Sequence, residues 1–284
     1  MSYHEIYLNI PGVITDMGYS DLHGKNPPLI EYRNVTIIRD GCAVLKNVDL
    51  SIDIGEHVAI LGPNGAGKSS LIKTVTRELY PRADSPDSYL RILGKDLWNV
   101  TELRTRLGIV GPDILRSSFR DFSCKDIVLS GYFGSVGIWP HHHITIGMQN
   151  KASESMELMG IHHLGETSIT KISTGESRLV MIARALVNDP LTMLLDEPTS
   201  NLDPRAAAEI RRMLRRITNE GKGIIMITHN MTDIIPEIQR VVLLQNGKIV
   251  EDGDKDSLLA EDSLSELFGV KLELMRRNGY YYYW

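Results

Sequence analysis

The sequence predicts an α/β protein: a largely parallel sheet carrying a phosphate loop, preceded by an N-terminal antiparallel β unit and interrupted by an inserted helical unit. Three observations predict it. The segment "HVAILGPNGAGKSSLIKTVTREL" passes from an apolar strand through a glycine-rich loop into a helix with Leu71, Ile72 and Val75 on its apolar side. Later, "LTMLLD" and "GIIMITH" are apolar throughout, as strands covered on both faces require, and the helical "PRAAAEIRRMLRRITNEG" lies between them. Between these two regions, residues 113–185 offer helical spacing, with Ala152, Met156 and Met159 at i, i+4 and i+7, and no convincing strand.

The elements then follow in order. Residues 1–28, rich in Gly, Pro, Tyr and Asp without a sustained period, read as an extension draped on the surface or partly disordered, with no assigned function. Residues 29–112 form the first part of the sheet domain. Here "LIEYRNVTII" and "AVLKNVDLSI" alternate as strands do, and "RDG" and "DIG" mark turns. Residues 113–185 are the helical insertion and 186–255 the second part of the sheet domain, where "RVVLLQNGKIVEDG" folds as a hairpin about Asn246-Gly247. A tail, 256–284, ends in Tyr280–Trp284, read as a strand closing a sheet edge.

Composition removes several function classes. With 284 residues, of which 42% are hydrophobic and 24% charged, the chain can bury a sizeable core. No run approaches the roughly 18 apolar residues of a spanning helix, and the N-terminus lacks a basic region followed by an apolar one. A soluble, cytoplasmic protein is expected. The net charge of −5 argues against binding nucleic acid through bulk charge, so no nucleic-acid partner is expected. Cys42 and Cys124 read as isolated reduced thiols, and His141, His142 and His143 as a solvated loop lacking further clustered ligands.

The chemistry-bearing residues fall in four places. Gly62, Pro63, Asn64, Gly65, Ala66, Gly67, Lys68, Ser69 and Ser70 fit G-x-x-x-x-G-K-[ST] between a strand and a helix. Backbone N–H groups of such a loop curl around phosphates; Lys68 would reach the β- and γ-phosphates and the Ser69 hydroxyl would help hold Mg²⁺. Asp196 and Glu197 end the strand "LTMLLD", at the sheet edge where open α/β sheets bind ligands. Asp196 would hold the metal shell, leaving Glu197 to polarise a water for attack on the γ-phosphorus. His229 closes "GIIMITH" at the same edge, within reach of a γ-phosphate oxygen. Finally, Ser173, Thr174 and Gly175 open a periodic helix, where a helix N-terminus favours an anion that the segment itself has no lysine to hold.

In this order and spacing, "GPNGAGKSS", "ISTGE", "LLDEPTSNLD" and "THN" resemble the nucleotide-binding domain of ATP-binding-cassette ATPases, over about Leu29 to Gly253. The resemblance implies a P-loop NTPase core binding ATP and Mg²⁺. It implies that "ISTGE", Ile172 to Glu176, stands for the family's "LSGGQ", which caps the γ-phosphate of ATP held by a second domain. Since the chain has one copy of each motif, a homodimer follows. Ser200, Asn201, Leu202 and Asp203 match the D-loop that crosses this interface. Three departures stand out: Arg39 where the family stacks an aromatic ring on adenine, Pro112 followed by Asp113 where it has a glutamine, and Thr174 and Glu176 within the signature. A guanidinium plane also stacks on a base. The segment "VLSGYFGSVGIW" and the tail resemble the molybdate- and iron-complex-type branch of the family, especially its stand-alone cytoplasmic ATP-binding members.

The resemblance implies an ATPase subunit acting on separate integral membrane permease subunits, placing it peripherally on the cytoplasmic face of the membrane. The alternative is a soluble ATP-driven switch on a cytosolic partner. Transport is preferred because Pro112 lies at the segment that normally couples to the permease. A P-loop kinase would leave the signature helix without a role.

Overall fold

The computed structural model describes residues 27–82, 87–111 and 122–284. Strand β1 (Ile30–Arg39) pairs antiparallel with β2 (Cys42–Ile52), which leads to β3 (His57–Leu61), the phosphate loop and helix α1 (Lys68–Val75). β4 (Tyr89–Ile92) then returns to the free side of β1, completing a three-stranded antiparallel sheet. Next come α2 (Val100–Arg106) and β5 (Leu107–Val110), followed by helices α3 (Cys124–Leu129), α4 (Ile146–Leu158) and α5 (Thr174–Leu186). The chain re-enters the sheet through β6 (Thr192–Asp196), α6 (Pro204–Asn219), β7 (Gly223–Thr228), β8 (Arg240–Gln245) and β9 (Lys248–Asp254). Short helices α7 (Lys255–Leu258) and α8 (Glu261–Phe268) precede a hairpin of β10 (Leu274–Arg277) and β11 (Tyr280–Tyr283).

The six-stranded sheet runs β5-β6-β7-β3-β8-β9, parallel except for β9, which returns beside β8 through Asn246-Gly247. Asn246 (φ 50°) and Gly247 (φ 80°) both take the left-handed conformation that such a two-residue turn needs. Strand residues alternate between two cores. Val58 and Ile60, Ile225 and Ile227, Val242 and Leu244 face the layer containing α1 and the antiparallel sheet. Ala59 and Leu61, Ile224 and Met226, Val241 and Leu243 face the layer of α3, α5 and α6. The sheet is covered on both sides, which is why its strands read as continuous apolar runs. Each such Leu or Ile contributes about 1.5–3 kcal/mol on full burial.

Register places the functional segments side by side. Leu61, at the end of β3, is paired with Thr228 of β7, and Asp196, at the end of β6, with Ile227. The phosphate loop, the Asp196–Glu197 pair and His229 thus leave adjacent strands at their carboxyl ends. One expectation is corrected: β11 does not close an edge of either larger sheet but pairs with β10 alone. Its Tyr281 is buried, with its hydroxyl donating to Asp256 at 2.6 Å, so side-chain anchoring rather than pairing with a larger sheet ties the hairpin to the body of the protein. Residues 1–26 of the N-terminal extension, and Pro112 and Asp113, lie outside the described residues. Among the described residues no helix is long and apolar enough to cross a membrane.

Candidate nucleotide site

The loop Gly62–Gly67 is shaped by close backbone approach. At Gly67, φ is 108°, and a Cβ there would lie 2.7 Å from the Val44 carbonyl, so only glycine lets the loop turn beside β2. Asn64 and Gly65 are exposed and Ala66 is buried. The first bond into α1 runs from Leu71 N–H to Gly67 O at 3.0 Å, leaving the N–H groups of Lys68, Ser69 and Ser70 without helical partners at the positive end of the helix dipole. Lys68 is 5% exposed and folds back to donate to Gly62 O at 2.7 Å and Pro63 O at 2.9 Å. Burial lowers its pKa, while Glu197 and Asp196 act to raise it.

Asp196 is 6% exposed, and Glu197 follows it with φ 47°, a left-handed conformation costly for a residue with a side chain. Three bonds hold that turn: Glu197 N–H to Ile227 O at 2.8 Å, Ser200 N–H to Glu197 O at 3.2 Å and the Ser200 hydroxyl to Glu197 O at 3.0 Å. Across the strand ends, His229 Nδ1 lies 2.8 Å from Glu197 Oε1. A carboxylate so placed can hold the imidazole in one tautomer and orientation. Ser69, exposed at the start of α1, and Asp196, a buried carboxylate at the end of β6, are hard oxygen donors of the kind that fits a divalent cation such as Mg²⁺.

The signature segment is an ordinary helix start with an unusual occupant. Ser173 is the N-cap of α5: its hydroxyl accepts from Glu176 N–H at 3.2 Å, while the Glu176 carboxylate accepts from Ser173 N–H at 2.8 Å and Ser173 Oγ at 2.7 Å. This capping box puts the chain's own carboxylate on the donors of Ser173. Those donors pull the Glu176 pKa down, the Ser173 hydroxyl first and its backbone N–H second. Ser173 and Thr174 are exposed. Gly175 faces α6 so closely that a Cβ would lie 2.8 Å from Ala206 Cβ. Asp203 caps α6, accepting from Arg205 N–H at 2.9 Å and Ala206 N–H at 3.0 Å. The two helix starts therefore form one surface.

Arg39 ends β1 at an exposed turn, its Nε 3.5 Å from Asp40 Oδ2. The histidine run is more organised than a solvated loop: the His142 ring stacks on Phe133 with centroids 4.0 Å apart and accepts from Trp139 N–H at 3.2 Å. Among the described residues no group of three or more His, Cys, Asp or Glu could hold a metal. Cys42 is exposed and Cys124 buried, both free, and burial pushes the Cys124 thiol up to about 11.

A fold of this topology, with this loop, carboxylate pair and strand-end histidine, defines an ATP-hydrolysing cassette. The family model described as "ABC transporter" matches residues 45–200, and the chain belongs to that family. The chain is similar to the hemin import ATP-binding protein HmuV of Escherichia coli O157:H7, at 31% identity over 87% of this chain and 95% of that protein. Among solved structures it is similar to CbiO1 of Clostridium perfringens, part of the ABC transporter complex CbiONQ, with TM-score 0.67 and 27% identity over 85% of this chain and 94% of the other. It also shares the fold of an ABC-transporter ATP-binding cassette in its ADP conformation, with TM-score 0.73 and 24% identity over 85% and 98% of the two chains. The protein is an ATP-binding, ATP-hydrolysing subunit of the ABC transporter type.

Proposed function

We propose that two copies of this chain close head to tail around two ATP molecules, and that closure drives separate integral membrane permease subunits from the cytoplasmic face of the membrane. The observation that carries this reading is the exposed start of α5: Ser173 and Thr174 present a helix N-terminus to solvent, and it packs at Gly175 against the start of α6. Such a terminus favours an anion; Glu176 meets the Ser173 donors in the free chain and yields them to an incoming phosphate, which the chain's own phosphate loop, at a different strand end, does not supply. A second copy supplies the anion, the γ-phosphate of its ATP. Two-fold symmetry then makes both sites complete.

Within each site Lys68 leaves the Gly62 and Pro63 carbonyls and pairs with the β- and γ-phosphates, while α1 directs its unpaired N–H groups at them. Ser69 and Asp196 would hold Mg²⁺, which would supply neutralisation of the phosphate charge. Glu197 orients and deprotonates the attacking water, and His229 fixes the Glu197 carboxylate and then meets the γ-phosphate. Arg39 stacks on the base. The chain's similarity to HmuV and CbiO1, named for a hemin importer and a transporter complex, supports a membrane partner. Affinity purification of the native complex in detergent tests this. An integral membrane protein copurifying in stoichiometric amount is expected; a cytosolic partner alone would favour a soluble switch.

A further inference from the structure

Asp233 lies in the short turn Met231–Asp233 that follows His229, and it is 2% exposed. A buried carboxylate is costly unless its oxygens are satisfied, and here each has a partner. Oδ1 accepts from the Thr199 hydroxyl, and Oδ2 from the Thr228 hydroxyl at 2.9 Å. Arg211 of α6 brings Nη1 to 3.7 Å from Oδ1. From outside, the Tyr280 ring of the terminal hairpin lies 5.9 Å from the Arg211 guanidinium.

These partners are the neighbours of the reacting groups. Thr199 is two residues beyond Glu197, in the turn that holds Glu197 at φ 47°. Thr228 immediately precedes His229. Asp233 thus fastens the turn after β6 to the end of β7, and the 2.8 Å spacing between Glu197 and His229 depends on how those two segments sit. An ordinary buried cap would satisfy one segment; this carboxylate bridges two, each bearing one member of the pair. The turn of Glu197 is strained, and strain persists only where surrounding structure over-determines it.

We propose that Asp233 is a positioning residue for hydrolysis, acting through Thr199 and Thr228 to set the Glu197–His229 pair. The inference rests on Glu197 serving as the base. Asp233 is buried and spends its oxygens on Thr199 and Thr228, so its loss should lower kcat while leaving the affinity for ATP within a few fold. A one-ångström misplacement of a reacting group can cost about 10²-fold.

The test is a double-mutant cycle on steady-state hydrolysis, with nucleotide affinity read by calorimetry. Asp233→Ala is expected to lower kcat by about 10²-fold. In a Glu197→Gln background, removing Asp233 should cause little further loss of residual turnover, because the group it positions is already disabled. Thr199→Val, close in size, should show a smaller loss of the same kind and covers the case in which Asp233→Ala fails to fold. Equal fold losses from Asp233→Ala in both backgrounds would overturn the inference, as would a Thr199→Val protein with wild-type kcat. A Glu197→Gln protein that hydrolyses ATP normally would instead remove the role assigned to Glu197.

Discussion

Glu197 Oε1 and His229 Nδ1 stand 2.8 Å apart across the ends of two neighbouring strands, joined although 32 residues separate them in the chain. The register that pairs Asp196 with Ile227 brings the two strand ends together: Glu197 directly follows the last residue of β6, and His229 directly follows Thr228, the last residue of β7. His229→Ala should leave ATP affinity within a few fold and reduce kcat by about 10²–10⁴, the range for a lost proton-handling group. Steady-state kinetics beside calorimetry checks this; unchanged kcat would separate His229 from the chemistry.

Lys68 is buried and donates to two loop carbonyls. Replacing those contacts by phosphate oxygens turns neutral acceptors into charged ones, with roughly twice the strength per bond. Lys68→Ala should abolish most ATP affinity without lowering the melting temperature of the free protein by more than a few degrees. Calorimetric titration with ATP reads the loss, and equal affinities would reject the phosphate role.

Arg39 is half exposed beside Asp40, an ion pair of little stability value at such a site. Its guanidinium is therefore free to lie on a base. Arg39→Ala should weaken ATP and ADP by the same factor, about 1 kcal/mol, because stacking does not involve the γ-phosphate. Direct binding of both nucleotides is the check; a loss confined to ATP would place Arg39 at the phosphates.

The capping box predicts a pH dependence. The folded pKa of Glu176 lies below its unfolded value because Ser173 donates to the ionised carboxylate. Its contribution to stability is thus complete above the unfolded value of about 4.3 and is lost as pH falls through the depressed folded value. In melts of wild type and Glu176→Ala, the wild-type advantage should be constant above about pH 5.5 and shrink below about pH 4. An advantage unchanged down to about pH 3 would mean that the carboxylate charge is not what holds the box.

Much of this arrangement was legible in the sequence because it rests on short-range rules. The strand–loop–helix around Gly62–Ser70, the doubly buried strands, the Asn246-Gly247 hairpin and the buried stripe Leu179, Ile182, Ala183 and Leu186 all appear where period and turn chemistry place them. β4 carries no such local signal, because Tyr89–Ile92 is only 4 residues long and becomes a strand through its partner β1, a contact between segments far apart. The terminal hairpin has a local signal of its own: Asn278 (φ 52°) and Gly279 (φ 78°) form the same kind of turn as Asn246-Gly247. The role of Asp233 had no motif to announce it. Its partners Thr199 and Thr228 lie 34 and 5 residues away and meet only when β6 and β7 pair. The spacing of Ser173 and Glu176, by contrast, is a readable signal, that of a capping box.

The central claim is that the start of α5 binds the γ-phosphate of a partner's ATP. Light scattering of Glu197→Gln with ATP and Mg²⁺, alone and combined with Ser173→Arg, tests it most directly. With hydrolysis blocked, Glu197→Gln should form a dimer on adding ATP, since ATP then binds only the associated state fully. Ser173→Arg puts a bulky side chain where the phosphate docks, so the double variant should remain monomeric while still binding ATP through Lys68. A Glu197→Gln protein that stays monomeric, or a double variant that dimerises on ATP, would contradict the shared site.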